Sequence, residues 1–175
     1  MTPKRFLLAG LVVFALLPFA GYALANTNDD VEAARAATVG FHRLGAANAA
    51  GYGLFTDAAG IACIDNPSLG AMGVHYVNGA LVGDAVLDVT RPEALVYEPG
   101  GLFTKQRLVA LEYIVFKDVW EAAGHTAKPR LFGVDFDLTP SPNRYGIPAF
   151  YALHAWVWKD NPAGTFMPWN PRVHC

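Results

Sequence analysis

Charged residues are scarce in this chain of 175 residues: they make up 16% of it, and the net charge at pH 7 is -2. Lysine and arginine number 13 against 15 acids, which argues against a basic nucleic-acid-binding surface. The composition also lacks the signatures of collagen, coiled coil and disorder. Hydrophobic residues make up 53% of the chain, above the ~45–50% of typical soluble domains. The location of that excess therefore has to be explained.

Familiar catalytic motifs are absent as well. The chain has no GxSxG, P-loop, dinucleotide-binding, HExxH or CxxC pattern. Its two serines, Ser68 and Ser141, stand beside prolines in predicted loops, which argues against a serine nucleophile. A glycosidase-type carboxylate pair would have to be Glu98 and Glu112, and no second feature supports that pair. Whether the protein is an enzyme is left open by these patterns.

Part of the hydrophobic excess lies at the N-terminus. Two basic residues precede an apolar run at 6–17, and Ala23 and Ala25 provide the small residues that signal peptidase accepts. We expect residues 1–25 to be a signal peptide and residues 26–175 to be a single domain, secreted or periplasmic. An uncleaved anchor is the alternative reading of the same run. After cleavage no apolar stretch of spanning length remains, so we expect no stable membrane insertion.

The chain has two cysteines, Cys63 and Cys175. Because an exported protein meets an oxidising compartment, a disulfide between them is the simplest expectation. The bridge would tie the last residue to a loop early in the domain and restrict the unfolded chain, an effect of ~4–5 kcal/mol in the chain-entropy model. Two free thiols, or half of a metal site, are the alternatives.

The hydrophobic period changes along the domain. Residues 31–51 are rich in alanine, have an apolar stripe at helical spacing and predict one long helix. Later runs rich in β-branched and aromatic residues predict strands. These strands lie at 73–77, 94–98, 107–116, 131–138 and 150–159, and residues 117–124 fit a short helix or a loop. The order indicates an α+β domain in which the helix packs on a mostly antiparallel sheet of four to five strands, open, curved or barrel-like.

Isolated polar residues interrupt the predicted strands. Glu112 lies on a strand that is otherwise apolar on both faces, and His154 is the only ionisable group on its face of another strand. His75 lies in the middle of a third strand. If these faces meet, the three side chains converge, and His42 on the flank of the covering helix could supply a fourth ligand. Imidazoles and a carboxylate suit a transition metal such as zinc, iron, manganese or copper.

A purely structural explanation is equally open at this point. His154 could be a core histidine that hydrogen-bonds a backbone carbonyl, and His75 could point to solvent. Glu112 could pair with a buried arginine such as Arg91 or Arg172. The residues would then form a satisfied polar network, or unrelated positions, with no metal.

Aromatic residues are the second signal. We predict a ligand pocket that includes Tyr76, Tyr113 and Trp156, because aromatic walls with a few polar groups are typical of small-molecule and saccharide sites. The alternative is that these rings are ordinary core. The functional hypotheses are therefore a His/Glu metal-binding protein with an aromatic pocket, a non-catalytic pocket protein for a small molecule or saccharide, and a structural module of the cell envelope.

Several short motifs resemble a group of uncharacterised exported bacterial proteins. They are GAMG-x-HYVN at 70–78, Arg-Pro-Glu at 91–93, Tyr-Glu-Pro at 97–99, and a terminal block with NPAG, WNPR and Cys175. The resemblance covers most of residues 30–175 and implies a single exported domain. The group has no established activity, so the resemblance assigns no functional residue.

Overall fold

The computed structural model describes residues 27–101 and 105–175. The predicted signal peptide, residues 1–25, lies outside this range. Among the described residues, no helix is both long and apolar enough to cross a membrane.

The N-terminal helical segment is interrupted, so the prediction of one long helix is wrong. Helix α1 spans Thr27–Thr38, a 3-10 turn follows at Val39–His42, and helix α2 spans Leu44–Ala49. The break lies at Arg43, which has an extended backbone with φ -93° and ψ 105°. Two β-branched residues and a glycine at 38–40 are poor helix formers, and they weaken the helix just before the break.

Nine strands and two further short helices follow in the described residues. The strands are β1 Gly53–Leu54, β2 Cys63–Asn66, β3 Gly70–Val77, β4 Ala94–Glu98, β5 Arg107–Phe116, β6 Arg130–Leu131, β7 Val134–Asp135, β8 Asp137–Thr139 and β9 Phe150–Ala155. The helices are α3 Gly79–Val82 and α4 Lys117–Ala122. The predicted strands 94–98 and 107–116 are confirmed at both ends, and 117–124 contains a helix.

The α+β class and the mostly antiparallel sheet are confirmed. Seven strands form one sheet in which β3, β4, β5, β9 and β8 are successive neighbours. Strands β1 and β2 both pair with β3 along its other edge. The sheet thus has more strands than the predicted four to five, because short edge strands extend it. Within the described residues it is open, and no closed barrel is present.

Two predicted strands are shorter than expected because the backbone turns. Phe132, with φ 52°, and Gly133, with φ 72°, form a turn that divides the predicted strand at 131–138 into a β6–β7 hairpin and β8. The last strand ends at Ala155, where the Val157 amide donates to the Ala155 carbonyl and bends the chain. The hydrophobic pattern continues through both turns. The strands predicted from that pattern therefore extend beyond the points where the observed strands end.

The predicted disulfide is confirmed: Cys63 on β2 and Cys175 are bonded, with 5.7 Å between their α-carbons. Two glycines let the chain pass close to its neighbours in the same region. A β-carbon at Gly70 would lie 2.2 Å from the Asn170 carbonyl oxygen, and one at Gly73 would lie 2.7 Å from the Tyr97 carbonyl oxygen. Both have positive φ, so only glycine is unstrained there.

The two faces of the sheet have different coverings. Helices α1 and α2 pack on one face, where the main core forms around Tyr97, Leu111 and Tyr113 together with Ala34 and Ala47, whereas the short helix α3 packs on the other face. Residues paired directly across neighbouring strands share a face. The chain of partners from Val77 through Ala94 and Glu112 to His154 therefore lies on the opposite face. This second face carries the candidate site.

Candidate metal centre

Strand register brings the three predicted ligands together. Glu112 on β5 is the direct partner of His154 on β9, so both side chains leave the sheet side by side. His75 lies on β3, which is separated from β5 by β4. The residue of β3 in line with Glu112 is Val77, so His75 is displaced by two residues along its strand. Ala94, on the strand between them, has only a methyl group, which leaves space above β4 for the carboxylate and the imidazole to meet.

The three side chains form one compact group. The Nε2 atom of His75 lies 3.4 Å from Oε2 of Glu112 and 3.5 Å from Nε2 of His154. The Nδ1 atom of His154 lies 3.6 Å from Oε1 of Glu112. All three residues are buried, and one ligand atom from each lies within 4.8 Å of the other two. The convergence that the strand pattern predicted is thus present.

These distances suit ligands of one ion better than hydrogen bonds. An N–H···O bond is normally about 2.9 Å long and is weak or absent at 3.5 Å and beyond. Two ligands of a tetrahedral zinc, each at ~2.0–2.1 Å from the ion, lie ~3.3–3.4 Å apart. The separations from His75 Nε2 to its two neighbours are close to that value. The buried group of His75, Glu112 and His154 can therefore hold a metal ion.

Burial keeps all three groups uncharged when no cation is present. It raises the pKa of Glu112 to about 8, with a further contribution from Glu93, and lowers the pKa of His75 to about 4. Burial also lowers the pKa of His154 to about 3, assisted by repulsion from His75. At neutral pH the carboxyl is protonated and both imidazoles are neutral, so the close His–Glu contacts are not ion pairs.

A hydrogen bond to the backbone of Gly73 opposes part of the effect of burial on His75. Because Nε2 faces Glu112 and His154, Nδ1 is the ring nitrogen left for that bond. An imidazole that donates from Nδ1 to a carbonyl keeps the Nε2 lone pair available, as metal-binding histidines usually do. Gly73, two residues before His75 on β3, therefore also sets the ring's orientation.

The sequence reasoning missed a second buried carboxyl, Glu93. It is 1% exposed, and its Oε2 accepts a hydrogen bond of 3.0 Å from the Ile114 amide. Burial raises its pKa to about 8, while the bond from Ile114 acts in the opposite direction. The sequence signal was an acid placed between a proline and a fully apolar strand. Glu93 is not a member of the metal-binding group.

The structure does not bring His42 to the other three residues. It lies in the 3-10 turn on the helix-covered side of the sheet, is exposed, and its ring contacts Trp158 at a centroid distance of 4.4 Å. The helix does cover the sheet, but it covers the face opposite to Glu112. Arg172, considered as a partner of Glu112, instead pairs with Asp160 at 2.5 Å.

A cavity of about 370 Å³ opens beside the three ligands, on the same face. Its walls are largely aliphatic and aromatic. They include Phe55, Val77, Ile114, Phe116, Tyr145 and Phe150. Phe55 and Tyr145 are half-buried. The group formed by His75, Glu112 and His154 therefore borders a hydrophobic chamber.

The aromatics predicted to line a pocket lie elsewhere. Tyr76 and Tyr113 belong to the core under the helices, where their hydroxyls donate to Gln106 and to the Val89 carbonyl. Trp156 packs in a separate buried cluster and donates from Nε1 to the Met167 carbonyl, although its ring stacks at 6.3 Å on His154. The cavity uses different rings, including Phe116, because β5 and β9 turn alternate residues to opposite faces.

Comparison with known proteins adds no assignment: no family model, curated protein or solved structure matches this chain. The resemblance to a group of exported bacterial proteins therefore stays a prediction, and the functional argument rests on the site itself.

Proposed function

We propose that this protein is an exported metal-binding protein whose metal is held by His75, Glu112 and His154, with an open coordination position toward the cavity. The observation that carries the proposal is the convergence of three ligand-type atoms, from three strands, in one buried place. The Cys63–Cys175 disulfide supports export, since such bonds persist in oxidising compartments.

A cation explains why these polar groups are buried together. Burying a carboxyl and two imidazoles costs free energy unless they gain good partners. Their mutual distances of 3.4 to 3.6 Å give only weak hydrogen bonds. A divalent ion at the centre of the group would take the place of the carboxyl proton and accept a lone pair from each residue.

The donor set favours zinc or ferrous iron among the predicted metals. Two imidazoles with one carboxylate are the ligands of many catalytic zinc sites and of non-haem iron sites, both of which keep at least one position open. When bound, such a metal supplies Lewis-acid or redox chemistry. The chain contributes the fixed ligand geometry, the low polarity of the surroundings and the chamber that admits a small molecule.

The second candidate is a pocket protein that binds a small molecule without metal. The observation in its favour is the cavity itself, whose walls are largely apolar and whose three buried ionisable groups are neutral at pH 7. In that case His75, Glu112 and His154 would hydrogen-bond the ligand directly.

Metal analysis distinguishes the two candidates. The protein is purified from the periplasm without a histidine tag, and bound metals are measured by inorganic mass spectrometry. We expect close to one metal per chain, and loss of that metal in His154→Ala and in Glu112→Gln. His42→Ala is the matched control, because it removes an imidazole from the same chain outside the group, and it should retain the metal.

A wild-type protein that holds no metal, even after reconstitution with zinc or ferrous iron, would favour the pocket protein. Equal metal loss in His42→Ala and His154→Ala would contradict the proposed ligand set.

A further inference from the structure

We infer that the cavity binds a small neutral molecule with an aromatic or aliphatic body and one nitrogen or oxygen donor that coordinates the metal. The inference rests on the proposed metal centre and names the class of ligand that the centre accepts. It depends on where the three metal ligands stand in the cavity, on the charge of its walls and on its size.

The first step concerns geometry. His75, Glu112 and His154 all line the cavity as well as facing one another. Three protein ligands leave a fourth position of a tetrahedral ion open. Because the sheet lies behind the ligands, that position faces the cavity. A molecule in the chamber can therefore reach the metal directly.

The second step concerns charge. No lysine or arginine is among the described residues that line the cavity, and its acids are Glu112 and the exposed Asp137. Phosphates and dicarboxylates are usually held by guanidinium or ammonium groups. A multiply charged anion would find no cation here except the metal. The surroundings of Ile114 and Phe150 instead favour an apolar body.

The third step concerns size. A volume of about 370 Å³ corresponds to roughly a dozen waters at ~30 Å³ each. The chamber therefore accepts a ligand of about a dozen non-hydrogen atoms, comparable to a substituted aromatic ring, and excludes a long oligosaccharide or peptide.

Tyr145 is the residue suited to position such a ligand. Its ring packs between Phe55 and Phe150, at centroid distances of 5.9 and 5.8 Å, and lines the cavity. Within the described part of the chain its hydroxyl has no hydrogen-bond partner, unlike that of Tyr113, which donates to a backbone carbonyl. This hydroxyl can bond a polar substituent of the ligand.

Cobalt(II)-loaded protein provides the test, because the visible spectrum of cobalt reports coordination. Imidazole offers the donor alone, and 4-phenylimidazole offers the same donor with an apolar body. We expect 4-phenylimidazole to bind at least tenfold more tightly, since burial of a phenyl ring in the chamber favours it by about that factor or more. Equal affinities of the two probes would overturn the inference while leaving the metal centre intact.

Filling the cavity should remove that preference. Ala152 lines the cavity on β9, and Ala152→Phe places a ring in the chamber. We expect the preference for 4-phenylimidazole to fall to twofold or less, with imidazole affinity nearly unchanged. Leu138→Phe is the matched control: Leu138 is exposed on the neighbouring strand and faces the other side of the sheet, so the preference should persist. Ala152→Leu, which adds less bulk, replaces Ala152→Phe if the latter does not hold cobalt.

An experiment on the metal-free protein distinguishes the proposed metal centre from the proposed apolar ligand chamber. Indole, which has the apolar body without a basic nitrogen donor, should raise the melting temperature of metal-free protein, and Ala152→Phe should abolish that rise. No rise with indole contradicts the apolar chamber even if cobalt binds. Failure to bind cobalt, with a rise from indole, overturns the metal centre and the coordinating part of the inference together.

Discussion

The two faces of the sheet both bury polar groups, yet they satisfy them in different ways. On the helix-covered face the tyrosine hydroxyls donate to backbone carbonyls: Tyr52 to Pro92, Tyr97 to Phe41 and Tyr113 to Val89, at 2.8, 2.5 and 2.7 Å. On the cavity face His75, Glu112 and His154 meet only at 3.4 to 3.6 Å, beside unfilled space.

This difference separates polar groups that stabilise the fold from those available to a ligand. A buried donor with a good acceptor contributes to stability and has no hydrogen-bonding capacity left for a ligand. A group of lone pairs at longer distances costs stability in the metal-free protein and can bind a cation. Glu93 and Glu112 show the same contrast within one residue type, because the Ile114 amide donates to Glu93, whereas within the described residues no backbone amide donates to Glu112.

The largest expected effect is on metal affinity, and it distinguishes the two buried carboxyls, Glu112 and Glu93. Glu112→Gln removes an anionic ligand and should lower zinc affinity by more than the ~10–100-fold typical of residues that only support a ligand. Glu93→Gln changes the same functional group outside the site and should lower it less than tenfold. Competition titration with a zinc-binding dye measures both. Equal losses would show that the two carboxyls do not have the distinct roles assigned here.

Core truncations compare the packing of the two faces. Leu111 is fully buried under the helices, and Leu111→Ala should lower the free energy of unfolding by about 2–5 kcal/mol. Ile114 is nearly as buried but borders the cavity, so Ile114→Ala loses fewer contacts and should cost less than half as much. Chemical denaturation of the metal-free proteins measures both values, and similar costs would mean that the cavity face is as tightly packed as the other.

The two raised carboxyl pKa values predict that metal-free protein loses stability as pH rises. Glu93 and Glu112 have folded pKa values of about 8 against an ordinary value of 4.5, so between these pH values the folded state binds protons that the unfolded state releases. Stability then falls with increasing pH, by up to about 1.4 kcal/mol per pH unit for each carboxyl. Both histidines have lowered pKa values, so their effect runs the other way: it lowers stability as pH decreases through their ordinary value of 6.5.

From pH 6.5 to 8 the carboxyls therefore dominate the change in stability, and the histidines oppose part of it at the lower end of this range. Glu112→Gln and Glu93→Gln should each flatten the fall in denaturation midpoint across that window. Wild-type stability that is constant from pH 6.5 to 8 would contradict burial of two protonated carboxyls. His42→Ala, which removes an exposed group, should leave the slope unchanged.

The smallest expected effect concerns single hydroxyls. Tyr113→Phe leaves the Val89 carbonyl without its buried donor and should cost about 1–3 kcal/mol. Tyr145→Phe removes a hydroxyl that has no partner in the described chain and should change stability by less than ~0.5 kcal/mol. Thermal unfolding of the two variants measures the difference. A larger cost at Tyr145 would indicate that its hydroxyl contributes to the fold and is not free for a ligand.

Local patterns predicted the central strands well. Ala94–Glu98 was predicted at both ends because prolines flank it, and Arg107–Phe116 because it is a continuous run rich in apolar, β-branched and aromatic residues. Patterns failed where the hydrophobic period continues through a break: Phe132 and Gly133 turn the chain within an apolar run, and the helix breaks at Arg43 without proline. Both features depend on tertiary packing, which a local pattern does not contain.

Alternation of side chains along each strand was enough to identify Glu112 and His154 as polar residues on buried faces, and the cysteine count was enough to predict the disulfide. Only the tertiary structure shows which of the candidate residues lie together on one face of the sheet. Strand register decides that His75 joins these two residues, and helix placement decides that His42 does not. The cavity rings Phe116, Tyr145 and Phe150 come together only in the fold, because a period of two shows which residues share a face but not what covers it.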